Sequence, residues 1–167
     1  MQSHGKTEEF SIRQELPTTS MISQSIHSGS SIIFLDIDGV LNDHERHQNG
    51  YTGLKPKNVA AFNWLLSLLP GAKIVISSAW RYMGVTPLQF ENLLLTHGVD
   101  CSGRVIGFTR KDLDKDEPRL DQILDWVKEN NVTDWFAIDD LNLGCKNQIK
   151  CEYEGLTEAL IKAYFND

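Results

Sequence analysis

The chain has no excess of basic residues, no paired cysteines and no long apolar run, and each absence removes a class of function. Lys and Arg number 16 against 23 Asp and Glu, a net charge of −7. Proteins that grip nucleic acid are usually basic, so this balance weakens the case for a polynucleotide substrate without removing it. Cys101, Cys145 and Cys151 are odd in number and form no Cys-x-x-Cys pair. A disulfide framework or structural zinc site is therefore not expected, which points to a reducing, cytoplasmic compartment. The longest charge-free apolar stretch, Asn58 to Ala72, contains Asn and Pro and is too short to span a bilayer. Residues 1–30 lack the apolar centre of a signal peptide. They are rich in Ser, Gln, Thr and His without a clear period, as expected of a flexible tail or docking segment.

What remains is an ordinary globular composition, 41% hydrophobic and 23% charged over 167 residues. One domain with a real core is expected over residues 31–167. Its most informative stretch is Phe34-Leu35-Asp36-Ile37-Asp38-Gly39-Val40-Leu41-Asn42. An apolar run delivers two carboxylates two residues apart, and glycine follows at once. On an extended strand, residues i and i+2 point the same way, so Asp36 and Asp38 are expected close together at a strand tip. Crowded carboxylates repel unless a cation or a shared proton relieves them. A metal site, a catalytic pair or both would satisfy that demand. Asp and Gly also serve plain turns. An EF-hand loop needs Glu at its twelfth position, and counting from Asp36 that position is His47.

From residue 31 onward, strand-like and helix-like segments alternate. Ser31–Ile37 reads as a strand buried on both faces. A polar loop, Asp43 to Gly53, precedes a helix opened by Pro56, with Val59, Phe62, Leu65, Leu66 and Leu69 on one face. Pro70-Gly71 ends it, and Ala72–Ser77 is a second strand. Thr86-Pro87-Leu88-Gln89 is a capping box for a helix closed by Gly98. Gly103–Phe108 is a candidate third strand. Pro118 opens a helix whose apolar face is Leu120, Ile123, Leu124 and Val127. Trp135–Ile138 is a fourth strand, Gln148–Cys151 an edge strand, and Thr157–Phe165 a last helix. This alternation implies a mainly parallel α/β sheet covered on both faces, a three-layer sandwich. Ligands bind beyond the carboxyl ends of such strands. Asp36/Asp38, Ser77/Ser78 and Asp139/Asp140 all fall there.

Asp36-x-Asp38-Gly39-Val40, then Ser77, then a basic helix start and Asp139-Asp140 resemble the motif series of the haloacid dehalogenase (HAD) superfamily of phosphohydrolases. Val-Ile-Ser-Ser-Ala-Trp-Arg (75–81) and Gly155-Leu156-Thr157 look like its small capless members, including the domain of multi-enzyme RNA-repair proteins. The resemblance implies a Rossmann-like, Mg²⁺-dependent phosphatase. Asp36 would be the nucleophile that becomes an aspartyl-phosphate. Asp38 would protonate the leaving alcohol and then activate water. Asp36, the backbone carbonyl of Asp38, and Asp139 with Asp140 would hold the cation. Ser77 would bind phosphate, with Ser78, Gly39 and Arg81 beside it. The family's usual lysine is replaced, and Arg119 is preferred to Lys115 because it lies in the first helical turn.

Other residues divide between site and surface. His44 and His47 lie in the loop after Asp38 and read as solvated, with substrate contact the alternative. Trp80 and Arg81 form either a lip of the site or ordinary packing. Trp64, Trp126 and Trp135 read as packing, and Asp112, Asp114 and Asp116 as a solvated acidic loop.

A signalling receiver domain fits less well, because its phosphorylated Asp stands alone in mid-chain. A catalytically silent binding module is the remaining alternative. No cap domain fits between Asp36 and Ser77 or between Ser78 and Pro118. An open site suits phosphate on a macromolecule, either a phosphoprotein or a nucleic-acid end. The acidic balance favours a phosphoprotein, with a slight preference for phosphotyrosine, whose long reach suits a shallow uncapped site, while the RNA-repair resemblance favours a 3′- or 5′-phosphorylated polynucleotide. A monomer is the default.

Overall fold

A computed structural model describes residues 31–43 and 53–166. The expected tail over residues 1–30 and the readings of His44 and His47 lie outside the described residues. The elements are β1 (Ile32–Leu35), α1 (Pro56–Leu68), β2 (Lys73–Ile76), a 3₁₀ turn (Ala79–Met83), α2 (Pro87–Thr96), β3 (Val105–Phe108), α3 (Arg119–Glu129), β4 (Trp135–Asp139), β5 (Gln148–Lys150) and α4 (Glu158–Asn166). The order and types match the sequence expectation apart from the 3₁₀ turn. Four of the strands are shorter than expected by one or more residues, while β4 runs one residue further, to Asp139.

The five strands form one parallel sheet in the order β3-β2-β1-β4-β5. Parallel crossovers are right-handed, so α1 and α2, which step the same way across the sheet, land on one face. The chain then reverses direction past β1, and α3 lands on the other. The core divides accordingly. Ile33, Leu35, Ile138 and Ile149 pack with Phe62 and Leu65 of α1, Phe90 and Leu94 of α2 and Ile161 of α4. Ile32, Phe34, Val75 and Ala137 pack with Ile123 of α3. Phe34 meets Trp126 and Trp135 edge-on, at centroid distances of 5.7 and 5.6 Å, a favoured aromatic geometry. Leu124, expected on the buried stripe of α3, is 44% exposed. Trp126 takes the inner place instead, filling the space over Gly107.

Local signals hold at the helix ends. Thr86 and Gln89 form the reciprocal capping box, with Pro87 in the first turn. The 3₁₀ turn had no periodicity to betray it. Ser78 caps it by accepting from the Trp80 amide, and Gly84 ends it at φ +74°. The three cysteines are free thiols. Among the described residues, no helix is long and apolar enough to cross a membrane.

Candidate active site

Strand register assembles the site. Leu35 is paired with Ile76 on one side and Ile138 on the other, so the next residues, Asp36, Ser77 and Asp139, stand at one level at the carboxyl edge of the sheet. The Asp36 amide still donates to the Ile138 carbonyl at 3.0 Å, and the Ser77 amide to the Leu35 carbonyl at 2.9 Å. The order of strands reverses between β1 and β4, the switch point where α/β sheets open a crevice. Asp36 and Asp139 stand on either side of it.

Asp36, Asp139 and Asp140 each offer a carboxylate oxygen, and these oxygens lie within 4.8 Å of one another. Asp36 is nearly buried and Asp139 entirely so. Arg119, at the start of α3, lies between them, its Nη1 at 2.7 Å from Asp139 Oδ2 and 3.2 Å from Asp36 Oδ2. Of the two basic candidates, Arg119 is the one that reaches the acidic cluster, while Lys115 is exposed. One guanidinium does not neutralise the cluster. Burial, and then the charge of Asp139, push the Asp36 carboxyl up to about 8, against the lowering effect of Arg119. Burial raises Asp139 as well, opposed by Arg119. The nearby Asp140 carboxyl raises Asp36 further. Such a set asks for a cation, and hard oxygen donors of this kind fit Mg²⁺.

The expected pairing of Asp36 with Asp38 is corrected. β1 ends at Leu35 and the chain turns from Asp38 onward, so the strand rule for i and i+2 no longer applies. The residue crowding Asp36 is Asp139, which is 103 positions later but adjacent across the sheet. The Asp38 carboxylate is exposed and outside the acidic cluster. Its Oδ2 accepts from Trp80 Nε1 at 2.8 Å and its Oδ1 from Asn42 Nδ2 at 3.0 Å.

Of the expected phosphate-binding residues, Ser77 fits. Its side chain is buried, yet Oγ has no hydrogen-bond partner. A buried hydroxyl left unpaired is destabilising, so this oxygen is poised for a ligand atom. Three others are committed elsewhere. The Ser78 hydroxyl caps the 3₁₀ turn. The Gly39 amide donates to Asn42 Oδ1 at 2.8 Å. Gly39 is required for another reason. At φ +81°, an added Cβ would lie 2.4 Å from Asp140 Oδ2, so only glycine lets that carboxylate close on the loop.

Arg81 is no lip. Its side chain is 4% exposed and donates to the carbonyls of Ser78 (2.8 Å), Ser77 (3.4 Å) and Arg110 (3.3 Å), to Gln122 Oε1 (3.0 Å) and to Asp112 Oδ1 (3.1 Å). The fork welds the Ser77 turn to α3 one turn beyond Arg119. Asp112 is therefore an ion-pair partner rather than a free member of the acidic loop. Gln122, Asn42 and Asn58 were missed, because nothing in their sequence spacing sets them apart. Asn58, buried on α1, donates to the carbonyls of Glu154 and Leu156, both at 2.9 Å. Gly155 there approaches the Asn42 and Val40 carbonyls so closely that a Cβ would clash. This clasp braces the Asp36–Asn42 turn from behind.

A groove of about 700 Å³ along β4, β5 and α4 is lined by Trp135, Lys146, Lys150 and Tyr164. It contains none of the site residues.

The family model for the HAD domain in Swiss Army Knife RNA repair proteins matches residues 32–161. No curated protein matches the sequence. Among solved structures, one from Vibrio cholerae, described as a 3-deoxy-D-manno-octulosonate 8-phosphate phosphatase, is 11% identical. The match covers 87% of this chain and 86% of that one at a TM-score of 0.42, too slight a likeness to bear on function. The family match spans every element from β1 to the middle of α4, and so takes in Asp36, Ser77, Arg119 and Asp139. The chain belongs to the HAD superfamily of phosphohydrolases, in the family of HAD domains found in Swiss Army Knife RNA repair proteins.

Proposed function

We propose that the protein is a Mg²⁺-dependent phosphomonoesterase that removes a terminal phosphate from a polynucleotide end. The observation that carries the reading is the convergence of Asp36, Asp139 and Asp140 beside a buried Ser77 hydroxyl that has no partner. Asp36 attacks phosphorus, forming a phosphorus–oxygen bond as the bond to the leaving alcohol breaks. Asp38 gives that alkoxide its proton. In the second half, Asp38 takes a proton from water as the water oxygen attacks the aspartyl-phosphate, releasing inorganic phosphate and restoring Asp36. Ser77 Oγ–H donates to a phosphoryl oxygen throughout. Arg119, now shared by Asp36 and Asp139, turns part of its donor fork to the same group.

Asp36, Asp139, Asp140 and the backbone carbonyl of Asp38 would hold Mg²⁺. The ion supplies the positive charge that lets an anionic carboxylate approach an anionic phosphate.

The substrate follows from access and family. Between Asp36 and Ser77 the described residues form α1 and β2, and residues 44–52 are too few for a second domain. A site without a cap domain among the described residues accepts phosphate on a large molecule. The acidic balance favours a phosphoprotein, but the RNA-repair setting of the family supports a nucleic-acid end. A single terminal phosphate can be engaged without the basic track that long polynucleotides need.

The test compares 3′- and 5′-phosphorylated oligoribonucleotides, a phosphotyrosine peptide and 4-nitrophenyl phosphate, each with Mg²⁺, with EDTA and with Asp36→Asn. Mg²⁺-dependent turnover that vanishes in the variant, with an oligonucleotide preferred, is expected. Turnover that survives both EDTA and Asp36→Asn would overturn the mechanism. A preference for the peptide would move the substrate to phosphoprotein.

A further inference from the structure

Trp80 lies on the 3₁₀ turn after β2, and the phosphatase chemistry does not itself require it. We infer that Trp80 is a positioning residue for Asp38, its indole N–H holding the acid at the leaving-group side of the site. The inference rests on the phosphatase reading and extends it.

The geometry is specific. Asp38 is exposed, and an exposed carboxylate ordinarily samples several rotamers. Here each oxygen takes one neutral donor, Oδ2 from Trp80 Nε1 at 2.8 Å and Oδ1 from Asn42 Nδ2 at 3.0 Å. Each oxygen keeps a second lone pair, so orientation is imposed without blocking the position that carries the transferred proton. Both donors are themselves held. Asn42 Oδ1 accepts the Gly39 N–H at 2.8 Å, which turns its amide nitrogen toward Asp38. The Trp80 amide donates to Ser78 Oγ at 3.2 Å, and the indole packs edge-on against Phe90 at 6.4 Å. Indole nitrogen only donates, so this contact cannot reverse its sense. The tether joins the Asp36–Asn42 turn to the Ser77 turn, the two segments that follow the paired strands β1 and β2.

Packing alone would be served by phenylalanine, which makes Trp80→Phe the informative variant. The assay is kcat/KM, which reports transfer to Asp36, for 4-nitrophenyl phosphate and for an alkyl phosphate. The nitrophenolate leaves with little need of a proton, whereas an alkoxide needs one. Since positioned general acids contribute about 10²–10⁴-fold, a displaced one should lower the alkyl value by roughly tenfold or more, and the nitrophenyl value by no more than about threefold. Inhibition by inorganic phosphate and the melting temperature should stay as in the wild type. In the background of Asp38→Asn, adding Trp80→Phe should cause no further loss on the alkyl ester. Trp80→His, which restores a ring N–H, should recover part of the leaving-group response.

Equal losses on both esters, or losses that add to those of Asp38→Asn, would overturn the role of Trp80 while leaving the phosphatase reading intact. A wild type without Asp36-dependent turnover would overturn both. Should Trp80→Phe not fold, Trp80→His against Trp80→Tyr decides by the same ratio.

Discussion

Replacing Gly39 by alanine separates a backbone effect from a site effect. Gly39 has φ +81°, and Gly84 has φ +74°. An L-residue in that region costs roughly 1–2 kcal/mol, and at about 2–4 °C per kcal/mol for a chain of this size each alanine variant should melt about 2–8 °C lower. The surroundings then differ. Around Gly84 an added Cβ meets nothing within 4 Å, whereas at Gly39 it lies 2.4 Å from Asp140 Oδ2 and 2.6 Å from Cγ. Relieving that overlap moves the carboxylate by roughly 1 Å, a scale at which misplaced catalytic groups lose about a hundredfold in rate. Asp140 offers one of the three carboxylate oxygens of the cluster with Asp36 and Asp139, so the shift opens that cluster. The assay is the melting temperature with and without Mg²⁺. An ion at 100 times its Kd adds about 2.7 kcal/mol to the wild type, about 5–11 °C. Gly84→Ala should keep this increment and Gly39→Ala should lose most of it, together with turnover. If Gly39→Ala responds to Mg²⁺ and turns over as Gly84→Ala does, Asp140 is not a ligand held by that close approach.

Two further outcomes are expected. Because the Asp36 carboxyl is raised in the folded state to about 8, its contribution to stability is full below the ordinary carboxylate range and is lost as pH rises through about 8. In EDTA the melting temperature should therefore fall from pH 5 to 9, and Mg²⁺ should flatten that fall by stabilising the anion. A decline of the same size with and without Mg²⁺ would detach the ion from Asp36. Arg81→Lys replaces a fork reaching three carbonyls, Asp112 and Gln122 by a single nitrogen. It should destabilise by roughly 2–3 kcal/mol in urea unfolding, since the partners it leaves buried are unsatisfied. A change under about 0.5 kcal/mol, the level of an ordinary surface substitution, would mean that the fork is not a clamp.

The alternation of short branched-residue strands with capped, apolar-striped helices determined the architecture from sequence alone. Hydrophobic period and end signals such as Thr86-x-x-Gln89 act within one element, and each element read that way is present. The series Asp36, Ser77, basic residue, Asp139 was legible for the same reason, since each lies at or just beyond the end of a strand or at a helix start. The family match covers the stretch that holds all four.

What one element does to another was not legible. Sequence placed Asp38 beside Asp36 by strand geometry. Only the end of the β1 ladder at Leu35, and the pairing of β1 with β4, reveal that Asp139 is the true neighbour. Arg81 and Ser78 looked like site residues because they follow Ser77. Their roles as clamp and cap depend on where α3 and the 3₁₀ turn pack. The same holds for Trp80 and Asn42 on Asp38, and for Asn58 and Gly155 behind the turn. Residue type and local spacing set which groups stand at strand ends. Strand order and register, which depend on burying both faces of the sheet at once, decide which of those groups meet.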